Sequence, residues 1–314
     1  MTAGPDGSIY VVDQTREEVL GWSLGKGFID VAGDGHRGFS GDGGPVTKAS
    51  FDFSWASSVA VGRDGTLYIS DTGNGRIRAV TPNGIVHTVI GGGSASLTSD
   101  TASALAISLG HGPQSFALAV GPNGELYVGA AEGVYRLDHG ELIRVVGVNP
   151  ATYKWPPPPY NYAEPLPIRF DGVSRMAFAG KGDLIVGYDA PYDAYELTAT
   201  GRRRPVGNIR GDGSVAPLAE APDGEVVIGT GTDGFEWFSP NGKITQVTAL
   251  GPGESNGSRL SKVLGGRAFR AGDGIAVSTE GDVFIDTDAG NGWTDVSAIA
   301  EVTPTGNVRA IWRS

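Results

Sequence analysis

The chain has 314 residues, 39% of them apolar, with 24 basic and 35 acidic side chains and a net charge of −11. That length and apolar content suffice for a sizeable core, and the negative charge repels phosphate backbones, which excludes duplex nucleic acid as the expected partner. The absence of cysteine excludes disulfides, thiolate metal sites and a cysteine nucleophile.

Read from the N-terminus, Met1 leads straight into an Asp-Gly turn at Gly7, followed by SIYVVD, EEVLGW and FIDVAG as strands. The strand before the turn is at most a stub, as expected of a chain trimmed from a longer one. The unalternating pair Glu17-Glu18 predicts the least regular sheet here. In the loop Gly33 to Ser54, Asp42 precedes Pro45 and a run of small residues, which suits a capped single helical turn packed as a plug between sheets.

SSVAV, TLYIS, GRIRAV and IVHTVI follow, closed by the turns Arg63-Asp64-Gly65, Thr72-Gly73-Asn74-Gly75 and Pro82-Asn83-Gly84. Short apolar or alternating runs with such turns read as an antiparallel meander. Ser99-Asp100-Thr101-Ala102-Ser103-Ala104-Leu105-Ala106 in the next loop repeats the predicted helical-turn device. Further on, Tyr153, Trp155, Tyr160 and Tyr162 flank the four prolines Pro156 to Pro159. Prolines in series favour a stiff extended arm. It can lie across the molecule as a lid, stack its aromatics on sugars or other flat ligands, or clamp an irregular sheet.

The hairpin of the first repeat recurs in RDGTLYISD, PNGELYVGA, GKGDLIVGYD, PDGEVVIGT and TEGDVFIDT. The turn glycines Gly7, Gly65, Gly124, Gly182, Gly224 and Gly281 are spaced by 58, 59, 58, 42 and 57 residues. A second turn in each repeat, from Gly25 and Gly84 to Gly306, makes four strands per copy. Such a sheet cannot bury two apolar faces alone, and radial closure solves this. The expectation is an all-β chain forming one domain, a six-bladed β-propeller of four-stranded antiparallel blades.

SVAVGRDGTLYISDTGNGRIRAV resembles the repeat of the NHL family of propellers, and GFSGDGGPVTKASF resembles the loop preceding it in many bacterial members. The likeness is sharpest over Gly38 to Val89 and extends along the chain through the repeat. The resemblance implies a binding module of the kind found in receptor-kinase sensors and secreted proteins. Related propeller enzymes include metal-dependent lactonases and the lyase that completes peptide amidation. The latter uses several histidines on one face, a set this sequence lacks.

In a four-stranded blade the first and third turns lie on one face of the disc, and the second turns and blade-to-blade connections on the other. The tight Asp-Gly and Asn-Gly turns thus fall on one face and the long insertions on the opposite, loop-rich face, the expected working surface. There the ends of the second strands bring Asp13, Asp71, Glu132, Asp189, Asp233, Asp286 and Asp288 toward the axis. They form either an acidic rim for Ca²⁺ or Mg²⁺ or a set of turn-capping side chains. Small residues such as Ser58 and Gly274 line the predicted axial layer with Arg175, which either pairs with Asp273 or Asp189 or anchors a ligand carboxylate.

His87 is expected on an outer strand and His139 at a tight turn, leaving His36 and His111 on the loop-rich face without a zinc-ligand spacing. The leading reading is a module that binds a protein, peptide or carbohydrate through Trp55, Tyr153, Trp155, Tyr160, Tyr162, Asp288 and His36. The alternative is a lyase or hydrolase, divalent-metal-dependent in one version, with Arg175, Asp71, Asp189, Asp273 and His111 around the axial opening. No resident cofactor is expected in the binding reading. With no run of 18 apolar residues no membrane segment is expected either. A bacterial extracytoplasmic or secreted location is preferred over a cytoplasmic one.

Overall fold

The computed structural model describes residues 1–54, 57–97, 99–110, 116–130, 133–147, 173–179, 182–188, 194–197, 203–205, 218–221, 225–229, 235–238, 244–246, 271–288, 296–303 and 308–313. Blade one comprises β1 (Thr2–Ala3), β2 (Ile9–Asp13), β3 (Glu18–Ser23) and β4 (Gly27–Ala32). Blade two comprises β5 (Val59–Val61), β6 (Leu67–Asp71), β7 (Arg76–Val80) and β8 (Val86–Gly91). Blade three adds an early strand, β9 (Thr101–Ser103), to β10 (Ala117–Val120), β11 (Leu126–Ala130), β12 (Gly133–Asp138) and β13 (Glu141–Gly147).

The fourth sheet holds β14 (Val173–Ala179), β15 (Asp183–Tyr188), β16 (Ala194–Leu197) and β17 (Arg203–Pro205). In the fifth are β18 (Leu218–Glu220), β19 (Val226–Gly229), β20 (Phe235–Phe238) and β21 (Ile244–Gln246). The sixth is β22 (Ala271–Val277), β23 (Val283–Asp288), β24 (Val296–Val302) and β25 (Val308–Arg313). Each sheet is a consecutive antiparallel meander, with β9 added outside β13 in the third.

The innermost strands touch in the cyclic order β1, β5, β10, β14, β18, β22 and back to β1, which is the arrangement of a β-propeller. Apolar clusters fill the spaces between neighbouring sheets. Trp22 of β3 meets Phe284 of β23 at a ring-centroid distance of 5.3 Å across the junction of the first and last sheets. On the inner strands a bulky residue faces the preceding sheet and alanine faces the following one: Val59 and Val61 beside Ala60, Leu118 and Val120 beside Ala117 and Ala119, Ile275 and Val277 beside Ala276. The small side chains let the sheets converge near the axis, where a ring has the least room.

Among the described residues the first turn of the repeat forms as the Asp-Gly signals require, with positive φ at Gly7, Gly65, Gly124, Gly182 and Gly281. Gly65 adopts φ +83°, where a side chain is strained, and Asp64 accepts hydrogen bonds from the backbone N–H and the hydroxyl of Thr66. The predicted stub appears as the two-residue β1 paired with β2. His87 is exposed on the outer strand β8, and His139 lies at the turn between β12 and β13 with φ +48°.

Two loop expectations need correction. Val46–Lys48 forms a single 3-10 turn, but no side chain caps it. Asp42 instead accepts two hydrogen bonds from Thr88 and two from Arg78. The segment after Asp100 forms no helical turn; Thr101–Ser103 adds to the free edge of β13. A sheet edge offers unpaired donors and acceptors in register, and that pairing outweighs the local turn preference.

Candidate functional site

On the loop-rich face the connection from β4 to β5 folds against the sheets. Its second half is apolar, and Val46, Ala49, Phe51 and Phe53 are buried with Val12, Val19 and Ile69 between the first two sheets. Phe51 and Phe53 stack with centroids 5.3 Å apart. The sequence expectation of a packing plug holds here.

The plug is tied to the sheets by buried charge. Arg78 of β7 is fully buried, and its guanidinium donates to Asp42 Oδ1 at 2.7 Å, to Ser40 O at 2.7 Å and to Ser50 O at 2.9 Å. It also lies 4.5 Å from the Phe51 ring centroid. Partial burial opposes ionisation of Asp42, but hydrogen bonds from Thr88 and Arg78 outweigh it and lower its pKa. A second tie joins the plug to the turn between β2 and β3: the Glu17 carboxylate accepts from Arg37 Nε and from the Phe53 N–H, each at 2.6 Å. Gly33 passes so close that a β-carbon there would lie 2.5 Å from the Glu17 carbonyl oxygen.

Asp71 belongs to this same framework. Its Oδ1 accepts from the Asp52 N–H and from Asn74 Nδ2, each at 2.8 Å, while Oδ2 accepts no hydrogen bond and sits 3.8 Å from Arg78 Nη1. Burial raises its pKa to about 7 against the opposing pull of the Asp52 N–H, Asn74 and Arg78. The side chain is wholly inaccessible. It does not cap its own turn as expected. Asp13 does, accepting from the N–H groups of Thr15 and Arg16 at 3.0 Å.

Of the other predicted site residues, His36 stands at the tip of the plug loop with its side chain 81% exposed and its N–H donating to Asp34 Oδ1. Arg175 is half-buried on β14, opposite Gly187. Asp273 lies on β22 and Asp288 ends β23, where the backbone alone is described. Asp189, His111, Trp55, Tyr153, Trp155, Tyr160 and Tyr162 lie outside the described residues, as do Glu132 and Asp233. Among the described residues no three His, Asp or Glu side chains are grouped to hold a metal ion, and no helix is long and apolar enough to cross a membrane.

Sequence reasoning missed Arg78 and Glu17, because their partners lie 20 to 38 residues away in the chain. At the Ser58 layer, Ser58 Oγ donates to Phe116 O of the next inner strand. A cavity of about 300 Å³ lies toward the tight-turn face, lined by residues of the inner strands.

The NHL repeat family model matches residues 53–80, from the end of the plug through β7. No curated protein matches the chain by sequence. Among solved structures the chain is similar to a streptogramin B lyase, at 11% identity and TM-score 0.55, covering 98% of this chain and 80% of that one. It is also similar to virginiamycin B lyase from Staphylococcus aureus, at 12% identity and TM-score 0.52, covering 98% and 81%. The gluconolactonase XC5397 from Xanthomonas campestris gives 12% identity and TM-score 0.51, covering 82% and 76%. Identities this low carry the fold and not the chemistry. With antiparallel sheets arranged about an axis and a segment at residues 53–80 that matches the NHL repeat, the chain is a β-propeller that carries an NHL repeat.

Proposed function

We propose that this protein is a single-domain, six-bladed interaction module, bacterial and extracytoplasmic, that recognises a protein, peptide or glycan on its loop-rich face without a resident metal. One observation carries the reading. The plug loop is fixed at its base by Phe51, Arg78 and Glu17, yet it presents His36, Arg37 and Phe39 to solvent. Side chains held in place before contact lose little conformational freedom on binding, which favours recognition. Asp71, a candidate for catalysis, is enclosed by packing and committed to the plug, which weighs against the enzyme reading.

The test has two arms. On peptide and glycan arrays, a ligand retained by the protein is expected to bind at least tenfold more weakly to a folded His36→Ala/Phe39→Ala double variant. Incubated with streptogramin B or gluconolactone, with Ca²⁺ or Mg²⁺ and without, the protein is expected to leave both intact. Turnover above the buffer blank, or array binding that the double variant keeps, overturns the proposal.

A further inference from the structure

The inner strands place six equivalent positions around the tight-turn end of the axis, four residues before each turn glycine. They are Ala3, Val61, Val120, Phe178, Glu220 and Val277, and each pairs with the corresponding residue of its second strand: Ile9, Leu67, Leu126, Leu184, Val226 and Val283. Five are apolar and one is a carboxylic acid. Two residues before the glycine the sequence has Pro5, Arg63, Pro122, Gly180, Pro222 and Thr279, with Arg63 the one cation of the series.

These two exceptions belong to one space. Glu220 and Arg63 are the charged side chains lining the 300 Å³ axial cavity, whose walls include Val59, Leu118, Met176 and Ile275. Glu220 ends β18 and Arg63 follows β5 at the turn; these strands are three steps apart in the cyclic order of inner strands and so oppose each other across the axis. Neither makes a hydrogen bond or an ion pair with any described residue. The enclosing walls raise the Glu220 pKa to about 7, opposed by the attraction of Arg63, while its side chain stays open to the water of the cavity. The other inner strands beside it, β14 and β22, contribute no charged group to this cavity. An acid at a position filled elsewhere by alanine, valine or phenylalanine gives up apolar burial, and among the described residues only the attraction of Arg63 across the cavity offsets the desolvation of its charge.

We propose that this cavity binds a small zwitterion, an amino acid whose carboxylate and ammonium are separated by a short apolar spacer. Arg63 takes the carboxylate, Glu220 the ammonium, and the apolar walls the spacer. The volume lies at the lower end of ligand-pocket sizes, which limits the occupant to a small molecule. The site is at the opposite end of the ring from the loop-rich face, and its fate is independent of that reading.

The experiment uses 6-aminohexanoate in isothermal titration calorimetry, with hexanoate and hexylamine as single-charge comparisons. One molecule is expected to bind per chain, at least tenfold more tightly than either comparison compound. Arg63→Gln and Glu220→Gln are each expected to weaken it at least tenfold while circular dichroism stays unchanged. In the unaltered protein, ¹³C NMR of the Glu220 carboxyl is expected to show its pKa falling when 6-aminohexanoate is added, because an adjacent cation favours the ionised form. No binding at millimolar concentration, equal binding of hexanoate or hexylamine, folded variants that bind as well, or a Glu220 pKa unmoved at saturation overturns the proposal.

Discussion

Arg78 draws on four groups at once: a carboxylate, two carbonyls and an aromatic ring hold its guanidinium, and Asp71 lies beyond at 3.8 Å. A buried charge tied in this way is costly to lose from one side, because its partners remain desolvated. Arg78→Met is expected to lower unfolding free energy by about 3–5 kcal/mol in urea titration, well beyond a typical surface change. Asp71 carries a different signature. With its pKa raised to about 7, the folded protein keeps a proton that the unfolded chain releases near pH 4, so the folded state binds more protons between those values. The contribution to stability is then present at low pH and declines as pH rises toward 7. Asp71→Asn is expected to flatten that decline when urea unfolding is compared at pH 4.5 and pH 7.5; an unaltered slope would place the titration elsewhere.

Among the elements, those whose information is local were legible. TLYIS and GRIRAV appear as β6 and β7, and the Asp-Gly turn at Gly65 takes the positive φ that only glycine adopts without strain. Elements defined by distant partners were not. Thr101–Ser103 is a strand because β13 offers it an edge, and Asp42 leaves its own 3-10 turn because Arg78 and Thr88 lie 36 and 46 residues further on. Arg78 reads locally as a polar residue on a strand whose other face is apolar. It is buried because the plug covers that side, a fact written in Phe51 and Ser50 rather than in GRIRAV. Of the candidate site, the repeat could have disclosed Glu220, since four residues before the turn glycine it interrupts an apolar series. Attention to the loop-rich face passed over that end of the axis.

At the scale of the molecule, each sheet is built from one continuous stretch of chain. The insertions between them nevertheless do two jobs. The segment around Pro45 bridges to Ile85 beside β8, and β9 lies outside β13, so both occupy outer margins that would otherwise expose unpaired backbone. No described strand covers the outer margin of β4, where Ile29 is 57% exposed. That margin is therefore where a second molecule would most readily add a strand and where polymers would nucleate. A lysine at position 29 would set like charges against each other there, and Ile29→Lys is expected to keep the protein monodisperse in light scattering at concentrations where the parent chain grows into larger species.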